Sequence, residues 1–155
     1  MLVDISASLI AGAIWAALAL LIAACVRYAR AKSFRGKYYM FEVAGKTTHG
    51  TVTIEYRWWQ NLIVLTPVLS VFAEHASGRA PGTEDWRALV EVLSVSDVAS
   101  GFFWYPCRQG GALRLVLSSD RKEITEYGTP HRLEEPAFVM VLKRADPMQR
   151  LRTPN

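Results

Sequence analysis

Three histidines, three arginines and one cysteine are the residues here whose side chains could do chemistry: His49, His75, His131, Arg79, Arg108, Arg132 and Cys107. Imidazoles that converge can hold a metal ion, and a thiol beside a guanidinium can be kept as a thiolate. No motif marks either arrangement. The chain has no G-x-S-x-G, H-E-x-x-H, Walker A or G-x-G-x-x-G sequence, and no paired cysteines for zinc. No metal, cofactor or catalytic residue is therefore expected, and the chain is read as a non-enzyme. Loop arginines suit a phosphorylated or otherwise anionic small ligand, and the formal net charge of +4 agrees. No DNA or RNA polymer is expected as a partner.

Aromatic side chains next to cations could add stacking to charge, in YRWW (56–59) and WR (86–87). Strand alternation gives the plainer reading, in which Trp58 and Trp86 belong to a core and Arg57 and Arg87 face solvent. Trp59 breaks the alternation. It is the candidate for an exposed contact, either to a ligand or to a membrane interface, where tryptophan is favoured.

The elements that must position these residues are strands. After residue 36 the apolar pattern has period two, as a half-buried strand requires. GTVTIEYRWW (50–59) sets Val52, Ile54, Tyr56 and Trp58 against Thr51, Thr53, Glu55 and Arg57. Further strands are predicted at 37–43, 62–74, 86–95, 101–106, 112–119, 122–128 and 136–144, separated by glycine, proline, serine and aspartate turns. Residues 85–95 could also form a helix, but their β-branched content favours a strand. Pro67 either bends the 62–74 run at an edge or splits it in two. With that run counted once, the eight strands predict an all-β fold, a small antiparallel meander barrel wide enough for a packed interior or one small ligand.

Parity then assigns the two rims. Odd strands start, and even strands end, where the chain enters the barrel. The longer connections, 44–49, 74–85, 106–111 and 129–135, share the far rim with all three histidines and Arg79, Arg108 and Arg132. That rim is the expected ligand mouth, formed by His49, His75, Arg79, Arg108, His131 and Arg132, with Trp59 as an added contact.

The entry point is fixed by residues 5–26, which carry no charged side chain over 22 positions. As a helix they reach about 33 Å, enough for a hydrocarbon core of about 30 Å. One N-terminal transmembrane α-helix is expected. A secretory signal is the rival, although MLVD contains no lysine or arginine, and Ile22-Ala23-Ala24-Cys25 resembles a lipobox. Arg27, Arg30, Lys32, Arg35 and Lys37 follow the span before any acidic residue, which predicts a single pass of a bacterial inner membrane with the N-terminus outside and the barrel cytoplasmic. The last strand should bring Lys143 and Arg144, and the tail with Arg150 and Arg152, beside this collar to face anionic lipid. Ser8, Gly12 and Ala16 recur every four residues, a small-residue face through which a homo-oligomer could pack. The expected organisation is an anchor at 1–28, a basic linker at 29–36, a barrel at 37–145 and a basic tail at 146–155.

FRGKYYM, with Gly36 and Tyr38, resembles the aromatic-x-Gly-x-Tyr opening of lipocalin-type barrels, with Phe34 in place of the usual tryptophan. The anchor followed by an eight-stranded barrel also resembles the membrane-anchored β-barrel effectors of bacterial anti-phage systems. That resemblance implies a cyclic nucleotide ligand, oligomerisation and membrane damage, although those effectors tend to have two spans and this chain has one. The expected function is a membrane-tethered barrel that senses a small ligand. The alternative is an adaptor that docks a protein and has no small ligand.

Overall fold

A computed structural model describes residues 2–43, 48–62, 64, 66–75, 85–93, 97–106, 110–131 and 137–145, with side chains from Ser8 onward. Helix α1 (Leu2–Lys32) leads into β1 (Gly36–Glu42), β2 (Thr48–Tyr56), β3 (Val68–His75), β4 (Trp86–Val92), β5 (Val98–Trp104), β6 (Gly111–Leu117), β7 (Glu123–Pro130) and β8 (Phe138–Arg144). Each strand pairs with the next, and β8 pairs with β1, so the eight close an antiparallel up-and-down barrel. Closure leaves no sheet edge to be covered.

Period-two burial drives the closure. β4 and β6 alternate strictly, with Trp86, Ala88, Val90 and Val92 facing inward and meeting Leu113, Leu115 and Leu117 in one core with Val52, Ile54, Leu69, Val71, Ile124 and Leu142. Glycine permits the tight curvature. A Cβ added at Gly101 would lie 1.9 Å from the Leu89 carbonyl oxygen, so only glycine lets β5 come this close to β4.

The 62–74 run is not one bent strand. Pro67 lies just outside β3, which starts at Val68, and a short 3-10 helix (Trp58–Asn61) fills much of the connection from β2. The strand count stays at eight, so the parity is unchanged. Trp58 is a correction: pairing of β2 with β3 ends at Tyr56–Leu69, the chain leaves the sheet, and Trp58 is 65% exposed, whereas Trp86 is buried as expected.

The residues read as a basic linker, 29–36, consist of the last turn of α1, three residues, and the start of β1. Ala31 and Phe34 are fully buried in the barrel core. Tyr28 meets Tyr56 edge-on at 5.7 Å, and the Tyr38 hydroxyl donates to the Phe34 carbonyl at 2.8 Å. Arg144 Nη2 donates to the carbonyls of Ser33 (3.0 Å) and Arg35 (3.1 Å). The last strand thus returns to the helix, as parity requires.

Within α1, Ser8–Lys32 is long and apolar enough to cross a membrane, and the most apolar stretch is not covered by the rest of the chain. A membrane span and a signal sequence both meet this description. Ser8, Gly12 and Ala16 are exposed along it.

Candidate site in the barrel interior and at its distal mouth

The rim remote from α1 holds the ends of β1, β3, β5 and β7 and the starts of β2, β4, β6 and β8. His49, His75 and His131 all lie there, on different strands or strand ends. His49 is the extra residue of a bulge in β2, where Met40 pairs with Gly50 but Phe41 with Thr48. Bulges re-aim side chains at barrel rims. Its imidazole lies 3.4 Å from Glu42. His75 follows in register beside Gly50, while His131 is on the far wall, its amide bonded to the Gly110 carbonyl. Among the described residues no group of three histidine, cysteine or acidic side chains could hold a metal ion. Arg79, Arg108, Arg132 and Cys107 lie outside the described residues.

Trp59 is not part of this mouth. It sits in the 3-10 helix at the opposite rim, beside the end of α1, with the Arg57 guanidinium 5.7 Å from its ring. The collar residues Arg27, Arg30, Lys32, Arg35, Lys37, Lys143 and Arg144 share that proximal end.

Just inside the distal mouth, three aromatic rings gather around Phe103. Its centroid is 5.9 Å from Trp86, 5.6 Å from Tyr105 and 5.7 Å from Phe138, each contact edge-to-face. Gly128 makes room for this layer, because a Cβ there would lie 2.0 Å from the Phe138 ring opposite it.

One inward step below, β7 aims Glu126 into the barrel. The side chain is fully buried, between Leu115 on β6 and Met140 on β8 in register. Among the described residues neither carboxyl oxygen has a hydrogen-bond partner. Burial in this apolar setting pushes its pKa from an ordinary 4.5 up to about 8, through the loss of hydration of the charged form. Near neutral pH the group is therefore mainly a carboxylic acid, able both to donate and to accept one hydrogen bond.

Glu126 was not among the residues singled out from the sequence. The signal was present in KEITEYG, where the period that buries Ile124 and Gly128 also turns Glu126 inward. A charged residue in a seven-residue strand otherwise reads as part of a solvated face. What isolates it is cross-strand register, which local alternation does not contain.

No family model, curated protein or solved structure matches this chain.

Proposed function

We propose that this protein is a single-pass, membrane-anchored barrel that binds one small ligand through its distal mouth. The observation that carries this reading is the unpartnered Glu126 carboxyl beneath the Phe103 aromatic layer. A buried polar group without a partner is destabilising by about 1–3 kcal/mol, and a ligand that supplies the missing partner recovers that amount. The ligand class follows from the chemistry: a flat apolar body to lie among the rings and a donor–acceptor edge for the carboxyl.

A nucleobase fits that description, since carboxylates read amino edges and aromatic rings stack on base faces. The phosphates of a cyclic nucleotide would then lie outward, toward connections that carry Arg79, Arg108 and Arg132. In this reading α1 spans a bacterial inner membrane with the barrel cytoplasmic, and a second copy packs on the Ser8, Gly12 and Ala16 face. The likeness to anti-phage effectors rests on architecture alone.

Thermal unfolding of the detergent-solubilised full chain with a panel of cyclic nucleotides tests the reading. A ligand at a hundred times its Kd should stabilise the protein by about 2.7 kcal/mol, and Glu126→Gln should reduce the shift. If no nucleotide moves the transition, the sensor reading is wrong.

The adaptor reading has its own observation. On the outer wall of β4–β7, Leu89, Phe102 and Tyr127 are exposed around an open groove of about 1150 Å³ that also borders Ala112 and Arg114. Exposed apolar clusters of this kind mark protein-docking surfaces.

A further inference from the structure

Residues 57–62, which follow β2, are tied to the start of β3 and display apolar side chains. Asn61 is 2% exposed, and its amide donates to the carbonyls of Arg57 (2.8 Å) and Val68 (3.0 Å), while its oxygen accepts from the Val68 amide (2.7 Å). Ser70 Oγ donates to Gln60 Oε1 at 2.9 Å. These bonds tie Asn61 and Gln60 to the start of β3. They leave Trp58, Trp59 and Leu62 pointing outward, at 65%, 55% and 61% exposure. Three large apolar groups on one short, stapled segment form a contact surface rather than scattered exposure.

The segment has a definite depth. Arg27 is the first charged residue after the apolar run, and its Nη1 donates to the Val64 carbonyl at 2.7 Å. The connection therefore sits level with the end of the span. Exposed cations share its rim: Arg30, Lys32 and Lys37 from the chain entering the barrel, and Arg121 and Lys122 from the 118–122 turn on the opposite side of the barrel. Of the acids on this rim, Glu55 is engaged by Arg57 at 3.2 Å and Glu123 by Lys143 at 3.3 Å, while Asp97 is exposed. In the 118–122 turn, Asp120 accepts from Ser118 Oγ (2.6 Å) and the Lys122 amide (3.1 Å), and these two bonds, the Ser118 one foremost, hold its pKa below the ordinary value. Tryptophan and leucine flanked by lysine and arginine are what the boundary between headgroups and acyl chains favours.

We infer that Trp58, Trp59 and Leu62 form a second membrane contact, seated in the headgroup boundary of an anionic bilayer, which holds the barrel proximal rim down. This rests on the reading of α1 as a membrane span. Because the span already confines the rim to the surface, the contact acts at high effective concentration and needs little affinity of its own. It turns a tethered barrel into an oriented one, with the distal mouth directed away from the lipid.

The test uses the full chain in vesicles of phosphatidylcholine and phosphatidylglycerol, with lipids brominated at shallow or deep acyl positions to quench tryptophan. The tryptophans are Trp15, Trp58, Trp59, Trp86 and Trp104. Trp15 lies in the span and should be quenched by deep bromines in the wild type. In Trp15→Phe, shallow bromines should still quench, and adding Trp58→Phe and Trp59→Phe should abolish that quenching with the strand circular dichroism unchanged. Deep quenching of the wild type without shallow quenching of Trp15→Phe overturns the second contact and leaves the span intact. Absence of both overturns the span as well. A blue shift of Trp15→Phe that grows with protein density, without bromine quenching, assigns the patch to a second copy and also overturns the proposal.

Discussion

The two ends of the barrel are built by different means. At the proximal end side chains act as staples: Asn61 closes the β2–β3 connection, Arg27 ties that connection to the helix, and Arg144 binds the carbonyls that follow α1. At the distal end the strands close by backbone proximity. A Cβ at Gly50 would lie 2.1 Å from the Glu74 carbonyl oxygen, and one at Gly111 would lie 2.0 Å from that of Thr129. Below that rim the interior holds an aromatic layer and one carboxyl without a partner. The proximal end is thus a joint tied by side-chain hydrogen bonds, although Arg27 Nε is buried there without a partner among the described residues. The distal half holds a buried carboxyl with neither oxygen partnered among the described residues, and the proposed function builds on that contrast, with anchoring at one end and recognition at the other.

Three measurements would break or sharpen this contrast, beginning with the interior. The folded-state pKa of Glu126 is raised, so between about pH 4.5 and 8 the folded protein holds a proton that the unfolded chain has released. Stability should be full below that window, fall by a few kcal/mol as pH rises through it, and level off above it. Denaturation midpoints of the detergent-solubilised chain at pH 5, 6.5 and 8.5 should show this slope, and Glu126→Gln should flatten it. An equal slope in both proteins would mean that the carboxyl finds a partner.

Backbone closure of the distal rim is the next target. Gly111→Ala should destabilise by about 3 kcal/mol, because the Thr129 carbonyl belongs to the backbone and the paired strands must separate to admit the methyl. Equilibrium urea unfolding measures the loss, and a change below about 0.5 kcal/mol would show that the rim yields freely.

The smallest effect belongs to the joint. Asn61→Ala removes three hydrogen bonds to partners of which the Val68 amide and carbonyl lie at the strand end, and should cost about 1–3 kcal/mol. It should also weaken shallow bromine quenching of Trp58 and Trp59 in Trp15→Phe. Lost stability with quenching unchanged would separate the staple from the display of the tryptophans.

Much of the architecture was legible in the residues. Val52, Ile54 and Tyr56 alternating with Thr51, Thr53 and Glu55 marked a half-buried strand, and eight such runs implied closure. Parity then placed His49, His75 and His131 at the far rim and Arg144 beside the helix. These features depend on local periodicity, which a single strand carries by itself. The uncharged run ahead of Arg27 is local in the same sense, since composition and length alone make α1 long and apolar enough to span a membrane.

Tertiary structure decided the rest. Trp58 continues the alternation of β2, yet it leaves the core because β3 does not begin until after Pro67 and offers no partner beyond Tyr56. Phe34 reads as part of a basic linker, yet it is buried because the helix runs on to Lys32 and delivers it to the barrel end. Glu126 alternates inward by sequence, but its isolation follows from the pairing that sets Leu115 and Met140 beside it. Periodicity fixes the face on which a side chain lies. Only cross-strand register and the geometry of the connections fix what it meets there.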